Sequence, residues 1–96
     1  MTLAVFRVAI EQRVAFRAAW QVLCRAFLDL PRPPSGAMTL IQSMDDPEVF
    51  QSLGIWFALE DVQAMRLDAR IVPLMNVMVA LTERAQPGEF LVLDVI

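Results

Sequence analysis

No histidine, lysine or tyrosine occurs in these 96 residues, and only one cysteine does. The missing histidine excludes any imidazole, whether as metal ligand or as a proton shuttle poised near neutral pH. With lysine and tyrosine gone as well, Asp and Glu are left to move protons, which narrows general acid–base chemistry. A lone Cys24 excludes an internal disulfide framework and any multi-cysteine metal site. It lies among Val22, Leu23 and Phe27, so it reads as a small buried hydrophobe rather than a reactive thiol. Positive charge is also scarce. The eight basic residues are all Arg, the formal net charge is −3, and nothing provides an electrostatic footprint for nucleic acid. Long apolar runs are absent too. A membrane-spanning helix needs about 20 apolar residues, and the longest candidate, 71–81, is interrupted by Pro73 and Asn76. Arg7 and Glu11 sit where the apolar core of a signal peptide would be, so the expected compartment is the cytoplasm.

What is abundant is apolar side chain, 57% of the residues. That exceeds the roughly 45–50% of ordinary globular chains. A monomer of this size buries only about 60–65% of its unfolded surface. The surplus needs somewhere to go, and a partner subunit or an apolar ligand is the simplest destination.

One domain over 1–96 fits the length. Thr2 to Val8 reads as a first strand, short, apolar and aromatic-bearing. From Ile10 the period changes: Phe16, Trp20, Leu23 and Phe27 recur at spacings of four, three and four, one face of a helix. Arg13, Arg17, Gln21 and Arg25 occupy another side, as a solvated face. Pro31-Arg-Pro-Pro34 ends the helix. A second strand is expected over 37–44, followed by an Asp45-Asp46-Pro47 turn and a short helical turn. The third strand is expected over 53–59, centred on Trp56. Glu60 to Leu67 makes a short helix whose opening acids suit its positive end, and Arg70 to Ala85 a longer one with Pro73 in its first turn. Pro87-Gly88 closes that helix, and a fourth strand is expected over 89–96.

This order, β-α-β-β-α-β, predicts an α+β, ferredoxin-like fold: a four-stranded antiparallel sheet with helices on one face. Strands one, three and four read as nearly continuous apolar runs, the pattern of strands buried on both faces. Two helices cover only one face. The other is expected to meet the sheet of an identical subunit.

The chain resembles the antibiotic biosynthesis monooxygenase-like family. The resemblance rests on the Phe16–Trp20 helix after an opening strand, Gly36 before strand two, and the Asp45-Asp46-Pro47 turn followed by Phe50. It also rests on Trp56 with Glu60-Asp61 after it, and on Pro87-Gly88 before a last apolar stretch. It implies a homodimer forming a dimeric α/β barrel. The activities it implies are those of cofactor-independent oxygenases of quinols and hydroxylated aromatics, or of heme-degrading enzymes. The heme-degrading branch uses an Asn on the first strand, a Trp on the helix after strand three, and a nearby His. Here Phe6-Arg7 and Met65 stand in those places and no His exists, so heme chemistry is not expected.

The cofactor-independent branch needs a dry pocket rather than a redox centre. Candidates for its lining are Phe6, Phe16, Trp20, Trp56, Met75 and Met78, with Gln42 and Asn76 as polar groups. Each has a plainer reading. Trp20, Trp56 and the methionines are equally core packing, Asn76 could bond across helices or a dimer seam, and Asp94 reads as exposed near the terminus. An aromatic small molecule is the expected ligand, with no cofactor, nucleic acid or membrane. Three functions stay open: a cofactor-free monooxygenase, a non-catalytic binder of an apolar molecule or helper of a partner enzyme, and a purely structural dimer.

Overall fold

The computed structural model describes residues 1–96. Strand β1 (Thr2–Arg7) leads through a 3-10 turn at Ile10–Gln12 into helix α1 (Arg13–Phe27). Then come β2 (Thr39–Gln42), β3 (Val49–Gly54), helices α2 (Leu59–Leu67) and α3 (Val72–Ala80), and β4 (Arg84–Glu89). All neighbouring strands run antiparallel, in the order β2-β3-β1-β4. This is the α+β, four-stranded arrangement the pattern predicts. No helix is long and apolar enough to cross a membrane.

The pleat decides which residues meet the helices. Phe6 pairs with Phe50 and Ala85, and these side chains face α1. Phe16 of α1 lies between Phe6 and Phe50, with ring centroids 5.2 and 5.3 Å away, and is fully buried. Leu23, Phe27, Ile71 and Met78 extend this core. By alternation, Val5, Val49, Gln51 and Leu53 occupy the opposite sheet face, which no helix covers; all four stay partly accessible there, and Ile41 beside them is exposed.

Four elements depart from the sequence reading. The third strand is Val49–Gly54, not 53–59, and there is no helical turn before it. The Asp45-Asp46-Pro47 turn is closed too tightly to admit one. Ser43 Oγ accepts from the backbone N–H of Asp45 and Asp46, and Asp46 Oδ1 from that of Glu48. Ser43 N–H in turn donates to Val49 O at 2.9 Å. Arg7 pairs with Asp46 and Glu48 at 2.9 and 3.3 Å, tying the turn to the end of β1. Its hydrogen bond holds the Asp46 carboxyl below the usual carboxylate range. Trp56 therefore lies beyond the strand, in the link to α2.

The last helix stops at Ala80 rather than 85, because Glu83 N–H donates to Arg7 O and the chain joins the sheet. The fourth strand is accordingly Arg84–Glu89, with Pro87 and Gly88 inside it, and 90–96 has no regular structure. A strand reading Arg-Ala-Gln-Pro-Gly-Glu shows no apolar alternation. It is held by a single neighbour, β1, where proline is tolerated at an outer edge. Beyond Phe90, which pairs with Met1, the apolar run at the C-terminus is largely exposed. The second strand is also shorter than expected, four residues.

Gly54 ends β3 where the backbone of the sheet, Met38 and Thr2 come together. A Cβ there would lie 2.6 Å from Met38 Sδ and 2.8 Å from Thr2 Oγ1. The methionine can move, but the β-branched threonine is stiff. Gly54→Ala should destabilise by about 1–3 kcal/mol, the usual cost of overpacking. Thermal unfolding checks this, at roughly 4–8 °C per kcal/mol for a domain of this size; an unchanged midpoint would contradict the packing described.

Candidate functional site

Between the covered face of the sheet and helices α1, α2 and α3 lies a cavity of about 100 Å³. Its wall is mostly apolar. Of the residues picked out in the sequence, Phe6, Trp20, Trp56, Met75 and Met78 line it. Phe16, Gln42 and Asn76 do not. Phe16 is sealed beneath it in the aromatic core. Gln42 is exposed at the end of β2, where its Nε2 donates to Pro47 O at 2.7 Å. Asn76 is exposed on α3, because the inward phase of that helix is taken by Met75 and Met78.

The two tryptophans are fixed walls. Trp20 Nε1 donates to Ser52 Oγ at 2.9 Å, and Trp56 Nε1 to Thr2 Oγ1 at 3.2 Å. Trp56 is 7% exposed and meets Phe27 edge-on, with centroids 5.4 Å apart. A satisfied indole N–H lets a large aromatic stay buried at no unpaired polar cost. Each bond also locks the ring's direction, so the cavity keeps its shape.

Sequence reasoning misses the cavity's polar members. Thr2, Ser52, Cys24 and Arg66 all line it. Thr2 and Ser52 stand far along the chain from the indoles they serve, and only the sheet register brings them together. Cys24 is pushed up to about 12 by burial, so it stays a thiol at neutral pH. Arg66, on α2, is the one charged residue on the wall. Its Nη2 lies 3.0 Å from Glu89 Oε1 at the end of β4, while its Nε is buried and donates to no protein atom.

A second, wider groove of about 500 Å³ opens on the other side of Trp56. The link 55–59 and Val62 form one wall, and Phe90, Leu91 and Val92 of the C-terminal run form the other. Trp56 thus separates an inner cavity from an outer apolar groove. No group of three or more His, Cys, Asp or Glu side chains could hold a metal ion.

No protein-family model matches the sequence, and no curated protein does. Solved structures match in shape. SnoaB, a cofactor-independent oxygenase from Streptomyces nogalater, superposes with a TM-score of 0.79 at 14% identity, over 99% of this chain and 94% of that one. Rv0793 from Mycobacterium tuberculosis gives 0.80 at 15% identity, over 98% and 94%. A further antibiotic biosynthesis monooxygenase gives 0.74 at 14%, over 99% and 96%. The chain has the fold of the antibiotic biosynthesis monooxygenases over nearly its whole length.

Proposed function

We propose that the inner cavity takes a small quinol or hydroxyaromatic molecule, and that the protein, as a homodimer without a bound redox cofactor, oxygenates it. The observation that carries this reading is the cavity itself. It is apolar, walled by two hydrogen-bonded indoles, and set in a fold shared with a cofactor-independent oxygenase. In such a reaction the substrate supplies every electron. A phenol and O2 give a quinone and water: one oxygen atom enters the ring, and the other leaves with two hydrogens taken from the phenol. The protein's part is to hold the ring, exclude water and stabilise charge as it develops.

A second reading has its own support. No carboxylate lines the cavity, and its only thiol is held protonated by burial. No side chain there is a ready base, so the same cavity suits a dimer that binds its ligand without turning it over. Oxygen uptake and quinone absorbance, followed with phenol against a protein-free control, separate the two. Uptake that scales with protein concentration is the expected result. Saturable binding with no uptake above the control would replace the oxygenase by the binder.

A further inference from the structure

We propose that the Ser52 hydroxyl is the polar contact of the cavity's ligand, donating its proton to the oxygen of a neutral, single-ring phenol or quinol. The inference rests on reading the cavity as a ligand site and adds the residue and the ligand's form. Three observations carry it. Ser52 lines the cavity, two residues after Phe50 and so on the same, helix-covered face of the sheet. A serine hydroxyl offers one donor and two acceptor positions. Ser52 Oγ accepts from Trp20 Nε1 at 2.9 Å, which fixes its place, while its own proton goes to no group of the chain. The other polar groups of the wall are committed elsewhere. Thr2 Oγ1 accepts from Trp56 and donates to Gly54 O at 3.5 Å. Arg66 turns Nη2 to Glu89 at 3.0 Å, and its Nε is buried out of reach of a ligand. The Cys24 thiol is only a weak donor.

The indole strengthens the contact. By donating to Oγ, Trp20 polarises the Ser52 O–H bond, so indole, hydroxyl and ligand oxygen form one chain of hydrogen bonds in apolar surroundings. That chain ends in a neutral donor. A carboxylate would lose its water against an apolar wall with no unpaired positive charge to meet it, so a neutral oxygen fits better. Volume sets the ligand's size. An engineered apolar cavity of about 150 Å³ accepts benzene; at about 100 Å³ this one suits one ring with modest adjustment, not a fused system.

The test is an oxygen-free titration of the full-length protein with benzene, phenol and benzoate, read by calorimetry and tryptophan fluorescence. Phenol should bind at least as tightly as benzene, because Ser52 replaces the water its hydroxyl gives up, and benzoate should bind more weakly than phenol. Ser52→Ala alone would free the Trp20 N–H to take over the contact, so the comparison is made on Trp20→Phe, with Trp56 as reporter. On that background Ser52→Ala should weaken phenol about tenfold relative to benzene, the scale of a buried group left unpaired. Ser52→Cys in the otherwise unmodified protein, close in shape but a weak donor, should show the same fall if the phenylalanine variants do not fold. Arg66→Met should leave the ratio of phenol to benzene affinity as it is. Phenol weaker than benzene in the unmodified protein would overturn the role of Ser52 and leave the cavity as a site. So would a ratio that falls by less than about threefold when the hydroxyl is lost, or one that falls about tenfold in Arg66→Met. Benzoate tighter than phenol would overturn the neutral ligand. Binding of none of the three would overturn the cavity reading together with the contact.

Discussion

Replacing Phe16 with alanine should remove about 3–5 kcal/mol of folding stability, a large share of the roughly 5–15 kcal/mol that holds a domain folded. Phe16 is 0% exposed, and its ring joins α1 to both central strands through Phe6 and Phe50. Truncation would leave a void with aromatic edges on two sides, and neighbours anchored in the sheet cannot collapse into it. Phe16→Leu, which refills most of the volume, should recover much of the loss. Urea unfolding midpoints for the three proteins decide the matter. A loss under about 1 kcal/mol for the alanine variant would mean that this ring is not the pin between the layers.

Size measurement in dilute solution should find a homodimer, and Val5→Asp should break it. Val5 lies mid-strand in β1 on the sheet face without helices, opposite Gln51 of β3 and diagonal to Leu53 and Val49. The C-terminal run adds to the apolar surface seeking cover: Leu91, Leu93 and Val95 are each more than three-quarters exposed. Burying an unpaired carboxylate in such an interface costs several kcal/mol, which at 1.4 kcal/mol per decade means a hundredfold or more in the dissociation constant. The substitution touches neither the cavity nor the core around Phe16. A folded, soluble monomer of the unmodified protein at low micromolar concentration would refute the pairing, and so would a Val5→Asp variant that stays dimeric.

Periodic elements were legible in the sequence, and elements defined by partners were not. The Phe16–Phe27 spacing marks α1 because four large side chains repeat at one helical phase. In β3, Gln51 and Ser52 sit side by side, one on each face, and interrupt the apolar pattern. Ser52 is there to accept from Trp20, a reason that appears only once the sheet is assembled. The polar β4 carries no strand signal at all, since backbone pairing with β1 holds it, and the more apolar 89–96 attracts the assignment instead. The cavity divides in the same way. Aromatic and methionine walls stand out by size and apolarity, whereas Arg66 looks like an ordinary charge on a short helix until Glu89 and its own buried Nε are placed. Asn76 misleads by being the only asparagine on an apolar helix, though its phase points it to solvent.

The two outer strands bear on how copies of this chain can accumulate. β2 offers a newcomer only four residues. Just beyond the paired ends of β1 and β4, Met1 and Phe90 exchange both backbone hydrogen bonds, so alternation puts Pro87 in a non-bonded pair with Ala4. The donor that proline lacks is therefore missing from the outward rim, which is flanked by the charged Arg84 and Glu89. Growth of a filament by strand addition is blunted on both sides. An edge contact would repeat without end, whereas two faces meeting about a twofold axis use each other up. If the face without helices pairs as expected, the chain should accumulate as discrete pairs rather than as fibres.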